Sequence, residues 1–342
     1  MSYDDCVFDI TGGDELLCLA LGIVKERMPH VNIKITRYNL RTNTVYDCSS
    51  GESGPCSVNP ELTVEELIIL NGGDVVYGEA DEDGKTYLWE LDEEFVTDVD
   101  LMWSCCKNNF RLWNCQIGVF DAILSVGKSD EDGLTVTANL TAVGSYLQRK
   151  SASYKLFPEI RSFLLKYGLI TAYDDRDGKT VTISFKNQQV KRCLSKAGTA
   201  LEMKVFITAG GVCDENDEFI YTDAMNGVVI DWDGEYHDEK KGEGYDTENE
   251  IDVMLMKGVI PVFISCKNGN FAAEELYKLS TVADEFSGKY GKMVLVTTAL
   301  SSMGEAGNYI RQRAADMGIR IIDDVHLMSD EALEKKFAAL WH

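Results

Sequence analysis

The stretch NEIDVMLMKGVIPVFISCKNG, residues 249–269, contains two apolar runs joined by a short turn. Read with the period of two that strands have, Glu250 and Asp252 share one face of the first run. Ser265 and Lys267 share one face of the second run. The two runs therefore predict a hairpin that brings an aspartate and a lysine together among apolar neighbours. Because charges are rarely placed there unless they are paired, bound to a metal or used in chemistry, the hairpin predicts a functional site.

The segments around this hairpin predict a small mixed sheet flanked by helices. Thr199 is expected to cap the first helix, and the last element is expected to be a strand. In chain order the pattern predicts a helix, three strands, a helix, a strand, a helix and a strand, at residues 200–210, 227–233, 250–256, 259–266, 271–288, 292–298, 306–318 and 319–323. Such an order is typical of an α/β domain.

Length and composition indicate a globular protein with two or three domains. The chain has 342 residues, of which 45% are hydrophobic and 26% are charged. No run approaches the ~18 apolar residues of a membrane helix, and the N-terminus lacks the layout of a signal peptide, so we expect a cytoplasmic protein with no membrane partner. Ten cysteines without a CxxC pair, and only four histidines, give no zinc spacing. Reduced, mostly buried thiols are expected.

The charge of the chain is strongly negative but unevenly distributed. A formal charge of -24 argues against a general polyanion binder. Residues 149–196, however, hold eleven Lys and Arg against four Asp and Glu, and within them Lys186, Lys191 and Arg192 are predicted to contact nucleic acid. Residues 214–252 hold fifteen acids against two lysines, which favours either a solvated surface or a segment that concentrates divalent cations.

The N-terminal block begins with an apolar strand, a TGG turn and a helix, which together form half of a doubly wound unit. In such a unit the turn and the helix N-terminus approach a phosphate, although two adjacent glycines also make an ordinary tight turn. The candidate ligand-binding residues are Thr11, Gly12, Gly13 and Asp14. Further strands are predicted at 32–40, 73–80 and 85–91. The helix is expected to bury an apolar face formed by Leu16, Leu17, Leu19, Ala20 and Ile23.

The middle block, residues 105–198, ends in a helix, a hairpin that turns at DDRDG (174–178) and a short basic helix. A helix followed by a hairpin with a charged tip predicts a winged helix. Such domains bind DNA or act as spacers between proteins, and the sequence leaves both roles open.

The third block resembles the PD-(D/E)XK nuclease fold, because an aspartate lies on its second strand and a lysine ends its third. The wider chain resembles the CRISPR ancillary nucleases with a CARF domain. The pieces that carry this resemblance are DITGGDE, LSKAGTALE, NEIDV, SCKNG and LYKL. It implies an α/β protein with a partial Rossmann-like CARF sensing domain that lacks its first strands (1–104), a winged-helix domain (105–198) and a restriction-endonuclease-like domain (199–342).

The resemblance also implies a metal-dependent phosphodiesterase site. Asp252 and the carbonyl of Cys266 would bind Mg²⁺ or Mn²⁺, and Lys267 would orient water and stabilise negative charge. The family carries an acid two positions before the lysine, where this chain has Ser265. The resemblance therefore raises the question of which group replaces that carboxylate.

Two helical acids are candidates for catalysis and for metal binding. Glu275 lies on the same helix face as Leu279 and Val282, so its side chain is predicted to point toward the sheet. Some restriction enzymes of this fold supply the missing carboxylate from that helix. Glu202 matches an acid that many family members carry on the first helix. The alternatives are that Glu275 only favours the helix N-terminus electrostatically and that Glu202 is a solvated acid.

Three functions remain open at the level of sequence. The preferred interpretation is a homodimeric endonuclease for DNA or RNA that a cyclic oligoadenylate, expected to be cyclic tetra-adenylate, activates in type III CRISPR antiviral defence. The second is a CARF and winged-helix regulator with a catalytically inactive nuclease fold, which Ser265 suggests. The third is an unregulated restriction or repair nuclease.

Overall fold

The computed structural model of the protein describes residues 5–12, 15–40, 42–56, 60–80, 82–152, 154–155, 157–235, 237, 247–287 and 290–341. The chain forms two compact units, one of Met1–Glu61 with Gly258–Ile260 and one of Leu62–Lys257 with Pro261–His342. This division differs from the predicted domain boundaries at 104/105 and 198/199. Elements of residues 62–104 pack with the large sheet, and the middle block shares one core with the third block, as described below; the assignment of three domains itself stays a prediction.

The first unit contains a four-stranded sheet in the order β1-β2-β3-β4. Strand β1 (Asp5–Asp9) leads through helix α1 (Glu15–Arg27) into β2 (Asn32–Asn39), which is parallel to β1. Strands β3 (Thr44–Asp47) and β4 (Ser53–Pro55) continue the sheet with antiparallel pairing. The strand, turn and helix predicted at the start of the chain therefore form a parallel βαβ unit.

The apolar face of α1 is exposed, contrary to the sequence prediction. Leu16 and Leu19 are 78% and 63% exposed, and Leu17 and Ile23 are also exposed. None of the thirteen residues of α1, all of which the structure describes, is buried. Periodicity identifies an apolar face correctly, but that face is buried only if another element packs against it. In the described residues of the first unit, that face stays exposed.

The second unit is built around a six-stranded sheet in the order β14-β13-β12-β11-β10-β5. Its strands are β5 (Asp74–Val75), β10 (Asp223–Asp231), β11 (Glu248–Lys257), β12 (Ile260–Lys267), β13 (Lys292–Thr297) and β14 (Ile319–Ile322). Strands β12, β13 and β14 are parallel, whereas β10 is antiparallel to both β11 and β5. The order of elements in the third block agrees with the sequence pattern as far as β14, but a strand was expected to be the last element and a helix, Asp330–Ala338, follows it. Strand β5 adds an edge strand from residues that were expected in the sensing domain.

Helices cover both faces of this sheet because its strands alternate their side chains between two cores. On β11, Met254 and Met256 join the core under α2 (Val64–Leu70), α9 (Glu274–Ser287) and α10 (Glu305–Asp316). Val253 and Leu255 join the opposite core. The helices on that side are α3 (Glu93–Asn108), α4 (Phe110–Val126), α8 (Thr199–Gly210) and α11 (Asp330–Ala338).

The middle block adds a smaller sheet in the order β6-β7-β9-β8. Its elements are β6 (Lys128–Ser129), β7 (Thr135–Asn139), α5 (Leu140–Arg149), α6 (Pro158–Lys166), β8 (Ile170–Asp174), β9 (Thr180–Phe185) and α7 (Gln188–Cys193). The predicted helix, hairpin and short basic helix are present as α6, β8–β9 and α7. Ile160 and Ile183 belong to the same core as Leu201 of α8, so this block and the larger sheet pack as one body.

Of the strands predicted at 73–80 and 85–91, the described residues form β5 alone. Within residues 76–80 and 82–91 there is one bridge, between Tyr77 and Thr86. Thr86 is fully buried, and its hydroxyl accepts the backbone N–H of Val229 on β10 at 2.8 Å. We call residues 77–80 and 82–90 the strap, because they run along the edge of the large sheet without continuing it.

Two predictions from composition concern the thiols and the membrane. All ten cysteines are free, as expected, but only Cys106, Cys193 and Cys266 are buried, so the prediction of mostly buried thiols is wrong. None of the helices in the described part of the chain has both the length and the apolar character that crossing a bilayer requires.

Candidate functional site

Asp252 is held in the large sheet by groups of the neighbouring strand β12. Its Oδ2 atom accepts the backbone N–H of Cys266 at 2.6 Å and the hydroxyl of Ser265 at 3.3 Å. Because a backbone donor fixes this carboxylate, its orientation is set by the strand pairing rather than by a flexible side chain. The contact between the two runs of the hairpin that the sequence predicted is present.

The sheet is distorted directly opposite Asp252. Strands β10 and β11 pair at Asn226–Val253 and at Val228–Ile251, but they do not pair between Gly227 and Asp252. Gly227 has a φ of 59°, in the left-handed region that favours glycine. The buried side chain of Asn226 donates to the carbonyl of Asp252 at 2.9 Å instead. These residues position Asp252, and no pattern in the sequence indicated them.

Lys267 links the aspartate to a second carboxylate from helix α9. Its Nζ atom lies 3.7 Å from Asp252 Oδ2 and 3.0 Å from Glu275 Oε2. Lys278 binds the other oxygen of Glu275 at 2.8 Å. Asp252, Ser265, Lys267 and Glu275 therefore line one cleft, and the predicted orientation of Glu275 toward the sheet is what the structure shows.

The charges in this cleft modify one another. Burial disfavours the charge of Lys267, but the carboxylates of Asp252 and Glu275 outweigh it and raise the pKa of the lysine. For Glu275, hydrogen bonds from Lys278 and Lys267 outweigh burial and lower the pKa. Burial raises the pKa of Asp252, although Lys267 and the N–H of Cys266 oppose this shift. The cleft thus holds a protonated lysine between two acids of different basicity.

Glu202 reaches the same group of charges from the other side of the sheet. A Cβ atom added at Gly198 would lie 2.5 Å from Glu202 Oε1, so the glycine provides the space for this carboxylate. Gly198 is the N-cap of α8, whereas Thr199, which was predicted to cap it, is the first helical residue. Burial raises the pKa of Glu202 well above its ordinary value, and the carboxylates of Asp252 and Glu250 raise it further.

Glu250 is a further acid of this region that the sequence reasoning did not include among the site residues. It lines both the cleft of Asp252 and an adjoining cleft that contains Glu202. Its position on the same strand face as Asp252, two residues earlier, was the signal that indicated it.

The carboxylates of this region are oxygen donors of the kind that hard divalent cations prefer. Within the described residues, no group of three or more His, Cys, Asp or Glu is arranged to hold a metal ion. Mg²⁺, however, is usually held by one or two carboxylates, while water and substrate phosphate complete its coordination. The carboxylate of Asp252 raises the pKa of Glu202, and a cation between the two would remove this repulsion. Glu275 and the carbonyl of Cys266 are further oxygen donors on the neighbouring elements.

The candidate ligand-binding turn lies between β1 and α1 in the first unit. The N–H of Thr11 donates to Asp9 Oδ1 at 2.9 Å, and the hydroxyl of Thr11 accepts the N–H of Tyr38 at 2.7 Å. A Cβ atom at Gly12 would meet nothing within 4 Å, so this side of the turn is open. Gly13 and Asp14 lie outside the described residues.

The three predicted nucleic-acid-binding residues are engaged within the chain. Lys186 pairs with Glu94 and Asp98, in each case at 2.7 Å. Lys191 donates to the carbonyl of Gly133 at 2.7 Å. These contacts favour a structural role for both lysines.

Arg192 holds the strap. Its guanidinium donates to four strap carbonyls at 2.9–3.1 Å and lies 5.0 Å from the ring of Tyr87. Four carbonyl acceptors leave little donor capacity for a phosphate. The contacts therefore favour packing over nucleic-acid binding, which stays a prediction for all three residues.

Comparison with solved structures identifies proteins of the same fold. The crystal structure of protein VC1899 from Vibrio cholerae has a TM-score of 0.62 and 14% identity, and the match covers 98% of this chain and 74% of that one. Can2 from Sulfobacillus thermosulfidooxidans, solved in complex with cyclic tetra-adenylate, has a TM-score of 0.59 and 16% identity, with coverage of 98% and 76%. No protein-family model and no curated protein matches the chain. At these identities the likeness establishes architecture alone: the chain has a Can2-like α/β fold.

Proposed function

We propose that this protein is a metal-dependent endonuclease for DNA or RNA that a cyclic oligoadenylate activates in type III CRISPR antiviral defence. The observation that carries the proposal is the position of Lys267, 3.0 Å from Glu275 and 3.7 Å from Asp252 in one cleft. The PD-(D/E)XK resemblance of the second unit assigns the roles of metal ligand and charge stabiliser to this aspartate and lysine.

The side chains divide the work of phosphodiester hydrolysis. Lys267 remains protonated, so its ammonium is available to orient the attacking water and to stabilise the negative charge that grows on the phosphate oxygens. Asp252 and Glu202, with Glu275 and the carbonyl of Cys266, would hold Mg²⁺ or Mn²⁺. The bound cation would lower the pKa of water and polarise the phosphate.

Glu275 is proposed to replace the acid that the family carries at the position of Ser265. The hydroxyl of Ser265 is neutral and already donates to Asp252. Glu275 has a lowered pKa, so it carries its charge at neutral pH, and it reaches the same lysine from the next helix. The total negative charge of the site is thereby maintained.

The first unit is proposed to bind the activator. Can2 was solved with cyclic tetra-adenylate, and Thr11 and Gly12 lie in the turn of a parallel βαβ unit, where a phosphate meets backbone N–H groups. Gly13 and Asp14, which follow them in the sequence, are proposed to share this role. A ring of four identical nucleotides has a twofold axis, which suits a homodimer that presents the same turn twice. The exposed apolar face of α1 supports such a dimer.

The middle block is proposed to be a winged helix that transmits activation to the nuclease. Its order α4, β7, α5, α6, β8 and β9, with β7, β9 and β8 adjacent in one sheet, supports this assignment. Its core is continuous with that of α8, the helix that carries Glu202.

The proposal is tested by incubating purified protein with labelled DNA and RNA in Mg²⁺ or Mn²⁺, with and without cyclic tetra-adenylate. We expect cleavage that requires both the metal and the cyclic nucleotide. Asp252→Ala and Lys267→Ala should each reduce the rate by at least a factor on the order of 10² while circular dichroism is unchanged. Lys150→Ala, which removes an exposed pair with Asp121, is the matched control.

A second function is favoured by one observation. Ser265 stands where the family carries an acid, and the described residues contain no ready group of three metal ligands. If the wild type cleaves no substrate in either metal but still binds cyclic tetra-adenylate, the protein is a regulator with an inactive nuclease fold. If it cleaves without the cyclic nucleotide and does not bind it, the sensor assignment is wrong.

A further inference from the structure

A third cleft lies at the carboxyl ends of the parallel strands of the large sheet. Its volume is about 420 Å³, within the size range of ligand-binding clefts. Lys107 at the end of α3 and Arg111 in the first turn of α4 line one side. Thr298, which follows β13, and His326, which follows β14, line the other. We call it the cationic cleft.

The positive groups of the cationic cleft are not neutralised by carboxylates. Within the described part of the chain, neither Lys107 nor Arg111 forms an ion pair; the guanidinium of Arg111 lies 3.5 Å from Ser302 Oγ. Asp324 is the one acid among the lining residues. In a chain with a formal charge of -24, two such cations in one concave surface favour an anionic ligand.

An aromatic ring and backbone donors accompany these charges. The guanidinium of Arg111 lies 5.8 Å from the ring centre of Phe110, and the ring centre of His326 lies 5.2 Å from it. The Nδ1 atom of His326 is buried and has no hydrogen-bond partner among the described residues. The first turn of the 17-residue helix α4 adds backbone N–H groups. A positive groove with an aromatic ring suits a single nucleic-acid strand, whose bases are free to stack.

The cationic cleft adjoins the candidate catalytic site. The N–H of Thr298 donates to the carbonyl of Lys267 at 3.2 Å, so one hydrogen bond connects the linings of the two clefts. Asn268, next to that lysine, accepts the hydroxyl of Thr298 at 3.1 Å. Neighbouring strands lie about 4.8 Å apart, so β12 to β14 spans roughly 10 Å, a distance that a few nucleotides cover.

We propose that the cationic cleft binds single-stranded nucleic acid beside the catalytic site, with Lys107 and Arg111 on backbone phosphates and Phe110 stacked on a base. The inference rests on the proposed nuclease function, since the bound strand is the substrate. It adds the position of the bound nucleic acid and favours a single-stranded substrate over a duplex.

The test is the affinity of the full-length protein for a fluorescent 15-nucleotide oligothymidylate, measured by anisotropy in EDTA over a range of NaCl concentrations. The double variant Lys107→Ala/Arg111→Ala should bind at least tenfold more weakly. Its slope of log K against log salt should fall by about 1.4, or about 0.7 for each charge on a single strand. Phe110→Ala should lower affinity about tenfold without changing the slope.

The control is the double variant Arg149→Ala/Lys150→Ala, which removes two cations at the C-terminal end of α5 that lie over the ring of Tyr146. It should retain both affinity and slope. Unchanged binding by the Lys107/Arg111 variant overturns the inference, as does equal loss in the control. Equal affinity of the wild type for a 15-base-pair duplex, or competition by inorganic phosphate at the same ionic strength, overturns the assignment to a single strand.

This assay separates the two proposals because it contains no divalent metal and measures no cleavage. If the wild type cleaves and the double variant binds normally, the cationic cleft is refuted while the nuclease function stands. If the double variant binds more weakly and the wild-type protein cleaves no substrate, the cationic cleft is supported and the nuclease function is refuted.

Discussion

The substitution Ser265→Glu would restore the family's acid at a site where Glu275 is proposed to replace it. The structure gives the expected loss of stability. Ser265 Oγ lies 3.3 Å from Asp252 Oδ2, so the introduced carboxylate would place two negative charges about 3.5–4 Å apart. At an effective dielectric of about 20 their repulsion is roughly 4–5 kcal/mol. Lys267 offsets part of it, which leaves a destabilisation of roughly 1–3 kcal/mol in the absence of metal.

The measurement is thermal unfolding in EDTA and in Mn²⁺. For a unit of this size the destabilisation corresponds to a fall in Tm of roughly 2–5 °C in EDTA at pH 8. Because the repulsion raises the pKa of the introduced carboxyl, the penalty is present at high pH and decreases as the pH falls and the group is protonated. At 100 times its Kd, Mn²⁺ should stabilise this variant by about 2.7 kcal/mol, and it should stabilise the wild type, which binds the cation more weakly, by less.

Ser265→Gln is the control, since it has nearly the same size without the charge. It should show the steric cost of the longer side chain at every pH and no additional stabilisation by Mn²⁺. Equal Tm values for the two variants in EDTA at pH 8, or equal stabilisation of both by Mn²⁺, would show that the carboxylates of this site do not bind a cation.

Three further predictions follow from the same contacts. Glu275→Gln should reduce the single-turnover cleavage rate by a factor on the order of 10², and adding Ser265→Glu should restore part of that rate. A wild-type rate for Glu275→Gln would refute the proposal that Glu275 replaces the family's acid. Arg192→Ala should lower the free energy of unfolding by about 2–4 kcal/mol without changing the salt dependence of nucleic-acid binding, and Arg192→Lys should recover only part of that stability. A changed salt slope at normal stability would instead support phosphate binding by Arg192. Leu19→Glu should convert a dimer to a monomer in sedimentation experiments at unchanged helix content, and a wild type that is already monomeric would contradict the dimer.

The candidate site shows which of its features the local sequence pattern can predict. The period of two placed Asp252, Ser265 and Lys267 correctly, because alternation of side chains along a strand is a local property of the backbone. The period of 3.6 placed Glu275 on the inner face of its helix for the same reason. Neither period indicates how the carboxylates of Glu202 and Asp252 influence each other, since this depends on distances between elements that are about 50 residues apart in the chain.

The sequence by itself determined the hairpin with its aspartate and lysine, the βαβ unit that opens the chain, and the elements of the third block up to β14, but not the helix α11 that follows. These features follow from hydrophobic periodicity and turn residues, which act over a few neighbouring positions. Only the tertiary structure decided that residues 62–75 pack on the large sheet, that Arg192 binds the strap and that the apolar face of α1 stays open. Burial and the partner of a charged group are set by contacts between distant segments, so two residues with the same local pattern can have different surroundings.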